Sequence, residues 1–134
     1  MAEYVSVDSF SDLLGLQVEE SRVDFCRVRM PFRADLRTSP EVVHGGAIAS
    51  LIDTAAVVAV WSNVDAETTR GATASLTVNY LAASGREDLI AHAQVIRRGR
   101  SVVFVDVDVF ARRGERIAKG VVTYKLGRDR KYKK

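Results

Sequence analysis

With 134 residues, 47% of them hydrophobic and 28% charged, the chain is long enough to enclose one real core, too short for two ordinary domains, and too apolar to be extensively disordered. Its formal charge of +3 is concentrated at the C-terminus, where residues 127–134, GRDRKYKK, carry five basic groups and one acid and leave the body near −1. The start MAEYVSVDSFSDLL lacks the basic and apolar regions of a signal peptide, and the longest apolar run, interrupted by Asp53, falls short of a membrane span, so a cytoplasmic protein with no membrane partner is expected.

Cys26 is the single cysteine, which excludes an internal disulfide and reads as a small buried hydrophobe. His44 and His92 are far apart, so no metal site and no cofactor are expected. The basic tail could attract a polyphosphate, but a short charged end reads first as a solvated terminus, and no nucleic-acid partner is expected.

In chain order, residues 8–16, DSFSDLLGL, predict a short helix capped by Asp8 or Ser9 and closed at Gly15. Cys26, Val28, Met30 and Phe32 alternate with Arg27, Arg29, Pro31 and Arg33, the period of a strand with one buried face that ends near Pro31 at a sheet edge or turn. Residues 33–43 read as a loop, and Pro40 disfavours helical geometry at Ser39. Ala47 to Trp61 is too long for a typical strand and apolar on nearly every side, which predicts a helix buried all round.

After the polar segment Ser62 to Gly71, four apolar rows follow. They are Ala74, Leu76, Val78 and Tyr80; Leu89, Ala91, Ala93 and Val95; Val103, Val105, Val107 and Val109; and Ala118, Gly120, Val122, Tyr124 and Leu126. Turns fall at SGRED, RRGRS and RRGER. The predicted order is short helix, strand, long helix, then four strands, an α+β domain spanning residues 1–134 in which an antiparallel sheet wraps one central helix.

Gly45 and Gly46 stand at the start of the long helix, where the first N–H groups lack intrahelical partners and the helix dipole is positive. Without a Cβ, they allow a ligand carbonyl to approach the backbone. Asp53 is a carboxylate in an apolar helix with no lysine or arginine within a turn, a costly placement unless it has a function or a partner. The two groups lie eight residues apart, about 12 Å along a helix, too far to act on one carbon. If both serve one substrate, Asp53 must come from a second copy, which predicts a two-fold dimer with shared sites.

The stretches HGGAIASLIDTA, TASLTVNYLAASG and VIRRGRSVVFVDVDV resemble the hotdog-fold acyl-CoA thioesterases of the PaaI type, over roughly residues 10 to 126. The resemblance implies a curved antiparallel sheet around a long helix, a homodimer pairing further into a dimer of dimers, and an acyl-CoA substrate. It implies that the Gly45 N–H binds the thioester carbonyl oxygen, with Gly46 beside it, and that Asp53 of the partner subunit attacks the carbonyl or activates water. His44 would orient substrate or the loop, or only cap the turn. Thr73 stands where relatives place a hydroxyl near the catalytic water. Arg97, Arg98, Gly99 and Arg100 resemble the turn that contacts the nucleotide end of coenzyme A, with Arg98, Gly99 and Arg100 as the binding residues. Many relatives have an asparagine where this chain has Thr38. Thioester chemistry needs only a polarised carbonyl and a carboxylate, because a thiolate leaves readily. Two other readings stay open: a non-catalytic acyl-CoA sensing module, against which a buried acid argues, and a dehydratase acting on 3-hydroxyacyl thioesters.

Overall fold

The computed structural model describes residues 8–38 and 41–128. The predicted position of Ser39 and Pro40, and all of the basic tail beyond Arg128, lie outside the described residues. Helix α1 spans Ser9–Leu14, with the Asp8 side chain accepting from the Ser11 N–H at its start and Gly15 at φ 72° closing it. Both ends fall where the sequence puts them.

The strands are β1 (Gln17–Arg22), β2 (Phe25–Met30), the two-residue β3 (Arg37–Thr38) and β4 (Val42–Val43), then β5 (Thr69–Tyr80), β6 (Leu89–Arg98), β7 (Val102–Ala111) and β8 (Arg116–Arg128). Six of them form one antiparallel sheet in the order β1-β2-β6-β7-β8-β5. Helix α2 runs Gly45–Trp61 and packs on that sheet, chiefly against β6, β2 and β7. β2 ends at the residue before Pro31, as predicted, but lies between β1 and β6 inside the sheet.

Two elements depart from the sequence reading. β1 was not foreseen, because only Val18 in QVEESR is buried and a polar edge strand has no apolar row to announce it. Residues 33–43, read as a loop, hold a 3-10 turn over Ala34–Leu36 and the β3–β4 ladder. The two main strands before α2 turn at Asp24, whose φ of 64° is a left-handed geometry that aspartate tolerates.

Val103, Val105, Val107 and Val109 are fully buried, each burial contributing roughly 1.5–3 kcal/mol. A one-residue slip would expose that row and turn Asp106 and Asp108 inward, so the register of β7 is strongly specified. Gly120 lets the sheet touch the helix, because a Cβ there would lie 2.6 Å from Ile52 Cγ2. Cys26 is buried, its thiol donating to the Ala55 carbonyl, and burial pushes its pKa up to about 12, as an inert core residue requires.

The expectation of a helix buried all round is corrected. Ile48, Leu51, Ile52, Ala55, Ala56, Ala59 and Val60 are buried, but Ala49, Ser50, Asp53, Val57 and Trp61 are only half-buried. Their spacing forms one stripe on the helix. This stripe stays open because the sheet stops at β5, an edge strand paired only to β8 among the described residues.

The first predicted row is corrected too. Leu76, Val78 and Tyr80 pair with Val122, Gly120 and Ala118, but an irregularity between Thr73 and Ser75 puts Thr73 opposite Tyr124 and leaves Ala74 unpaired. An extra residue of this kind shifts the alternation of a strand. It brings the Thr73 hydroxyl to the helix side.

Candidate active site

His44 precedes α2 with φ −60° and ψ 133° and acts as its N-cap. Its Nδ1 accepts the Gly46 N–H at 2.8 Å, so this nitrogen is unprotonated and the ring proton sits on Nε2. The His44 carbonyl accepts the N–H groups of Ala47 and Ile48 at 2.9 and 3.2 Å, and the His44 N–H donates to the Leu36 carbonyl at 2.7 Å. Of the four leading N–H groups of the helix, that of Gly45 is the one with no partner among the described residues. A free donor at the positive end of a helix suits a carbonyl oxygen that gains charge.

Tyr80, the last residue of β5, lies over this turn. Its hydroxyl donates to the Gly45 carbonyl at 2.7 Å, and a Cβ on Gly45 would meet its ring at 3.3 Å. In sequence Tyr80 stands at the end of an apolar row, and only its polar hydroxyl signals this contact. A cavity of about 410 Å³ opens beside Gly45, lined by Thr38, Val43, Ile48, Tyr80 and Ala82 among others. Thr38 thus borders the site at the position where the resemblance expected an asparagine.

Asp53 sits two turns further along the open stripe of α2. The Thr73 hydroxyl donates to its Oδ1 at 2.7 Å, and Oδ2 has no hydrogen bond among the described residues. The structure therefore brings Thr73 to Asp53 and His44 to Gly45 and Gly46, while Gly45 and Asp53 stay apart on one helix. The Gly46 N–H is taken by His44, so Gly45 alone offers a backbone donor at this turn.

Arg98, Gly99 and Arg100 lie beyond the other end of α2. Arg98 Nη2 donates to Asp24 Oδ1 at 2.7 Å and to the Val60 carbonyl at 3.0 Å, while Nη1 is buried with no hydrogen bond among the described residues. This arginine ties the β1–β2 turn to the C-terminus of the helix, a structural task that its sequence position did not reveal. Gly99 closes the turn by donating its N–H to the Val102 carbonyl at 2.8 Å. Arg100 is exposed, and with Arg98, Arg128 and Asn63 it lines an open cavity of about 690 Å³.

Among the described residues, no group of three or more potential metal ligands occurs, and no helix is long and apolar enough to cross a membrane.

Residues 41–118 match the model of the thioesterase superfamily. A protein of Halobacterium salinarum whose name proposes an esterase is 36% identical over 110 residues, covering 79% of this chain and 72% of the relative. A conserved protein of Pseudomonas aeruginosa superposes with a TM-score of 0.85 at 28% identity, covering 90% of this chain and 95% of that one. The PaaI protein of the E. coli phenylacetic acid degradation operon gives 0.80 at 22% identity, covering 89% and 84%. The chain belongs to the thioesterase superfamily, and its antiparallel sheet around one long helix is the hotdog fold.

Proposed function

We propose that this protein is an acyl-CoA thioesterase working as a homodimer with shared sites. The observation that carries the reading is the N–H of Gly45 at the positive end of α2, which has no partner among the described residues. A thioester carbonyl oxygen placed there is polarised by a donor already fixed before the reaction. Asp53, about 12 Å further along the same helix, serves the substrate bound at Gly45 of the partner subunit.

That arrangement gives the exposed edge a purpose. Leu76, Tyr80, Leu81 and Val121 are 36–54% exposed, and the half-buried stripe carrying Asp53 lies beside them. A second copy added along β5 covers both and seats Asp53 in a drier site. No stable patch of this kind is expected on a monomer.

In the step itself, the Asp53 carboxylate takes a proton from water and the oxygen adds to the carbonyl carbon. The oxyanion rests on the Gly45 N–H, then collapses to the acid while the C–S bond breaks and coenzyme A leaves as the thiolate. Thr73 holds one Asp53 oxygen and leaves the other for water. Direct attack by Asp53, through an anhydride that water then cleaves, uses the same groups. Gly99 and Arg100 face the nucleotide end of the substrate, with Arg98 fixing the turn from beneath, and an apolar acyl group fits the cavity beside Gly45.

The test is thiol release from short, long and aromatic acyl-CoAs by the wild type and by Asp53→Asn, with the fold of both checked. Wild-type release that falls by at least about a thousandfold in the variant is expected. Binding of acyl-CoA with no release would instead support a sensing module, and loss of water from a 3-hydroxyacyl-CoA would support a dehydratase.

A further inference from the structure

We propose that Tyr80 is a positioning residue for the Gly45 donor, acting through a peptide clamp that it shares with His44. The inference rests on the thioesterase reading for its effect on rate, but the clamp itself can be observed separately. Two glycines in succession give the first turn of α2 the widest backbone freedom of any pair. An oxyanion donor, by contrast, must point in one direction before substrate arrives.

Two peptide units flank the Cα of Gly45, and together they present four polar ends. The first unit carries the His44 carbonyl, held by the Ala47 and Ile48 N–H groups, and the Gly45 N–H. The second carries the Gly45 carbonyl, which accepts the Tyr80 hydroxyl at 2.7 Å, and the Gly46 N–H, which donates to His44 Nδ1 at 2.8 Å. Three ends are tied and one is open. Fixing both planes fixes the φ and ψ of Gly45, and with them the direction of its N–H.

Tyr80 ends an edge strand and is 53% exposed in the single chain, yet its hydroxyl is engaged with Gly45. That hydroxyl is directed at the backbone of the helix. The same strand holds Asp53 through Thr73. β5 thus carries two hydroxyls, one fixing the donor end of α2 and the other fixing the carboxylate.

The experiment compares the wild type with Tyr80→Phe, which keeps the ring and removes the hydroxyl. Steady-state hydrolysis of an accepted acyl-CoA and amide hydrogen exchange of Gly45 and Gly46 by NMR are measured on the same samples. A fall in kcat of about tenfold, with KM changed by less than about twofold and faster exchange at Gly46, is expected; it is smaller than the roughly 10²–10³ lost when an oxyanion donor is removed outright. Unchanged kcat would overturn the proposal, whatever the exchange shows. A lower kcat with unchanged exchange would also overturn it, because Tyr80 would then act by another route. If the wild type hydrolyses no acyl-CoA, the thioesterase reading fails, and unchanged exchange at Gly46 in Tyr80→Phe would still sink the clamp.

Discussion

At its C-terminal end, helix α2 has a donor for each of three successive carbonyls. Val58 accepts the Ser62 N–H, Ala59 accepts the Ser62 hydroxyl, and Val60 accepts Arg98. At its N-terminal end, three N–H groups are likewise satisfied within the cap, yet the one between His44 and Gly46 has no partner among the described residues. The same helix is closed where it is tied to the β1–β2 turn and open at its two glycines, where the proposed thioester would bind. Unsatisfied polar groups cost stability. Leaving one at the glycine end makes sense when a substrate completes it.

Removing the open donor should have the largest effect on that contrast. Gly45→Pro deletes the N–H and suits the first helical position, and the extended ψ of 133° at His44 is what a following proline requires. Its added Cβ, 3.3 Å from the Tyr80 ring, requires that ring to shift by a few tenths of an ångström. A loss of kcat of about 10²–10³ with a melting temperature within a few degrees of wild type is expected. Mixed with Asp53→Asn chains, the variant should regain about a quarter of wild-type activity, since half of the dimers are mixed and each of those holds one intact site. Normal kcat in Gly45→Pro would remove Gly45 from the mechanism, and no recovery on mixing would contradict shared sites.

Opening the closed end should affect stability. Arg98→Leu strips the partner from the half-buried Asp24 and from the Val60 carbonyl, at an expected cost of about 1–3 kcal/mol read as a lower urea midpoint. An unchanged midpoint would show that the C-terminal cap is ornamental.

The smallest effect lies away from both ends, on the outer face of the sheet. His92 packs between Phe25 and Phe110, with ring centroids 6.1 and 5.2 Å away, and its pKa is lowered first by burial and then by the charge of Arg27. Below its ordinary value of about 6.5, the unfolded chain binds a proton that the folded chain resists. Stability is therefore complete above that pH and declines as the pH falls towards the depressed folded value. The urea midpoint of His92→Gln should vary less between about pH 7 and 5 than that of the wild type; parallel profiles would rule out His92 as the source.

Much of the fold and the helix end of the candidate site were legible because their signals are local. The rows of β2, β6, β7 and β8 repeat every two residues, the caps of α1 sit within one turn of it, and His44, Gly45, Gly46 and Asp53 fall on one helix whose rise separates the glycine from the acid. β1 escaped because an edge strand with one buried residue carries no period. Ala74 was placed on the inner row for the same reason, since no alternation reveals where a strand skips a residue.

The sequence by itself determined which segments are apolar, on which period, and that an acid is embedded in the long helix. These properties follow from the neighbours of each residue along the chain. Only the tertiary structure decided that Thr73 meets Asp53, that Tyr80 holds the Gly45 carbonyl across 35 positions, and that Arg98 spans 74 positions to Asp24. Those contacts depend on strand register, a bulge and the order of strands in the sheet, which are set by burying all the apolar rows at once and not by any one of them.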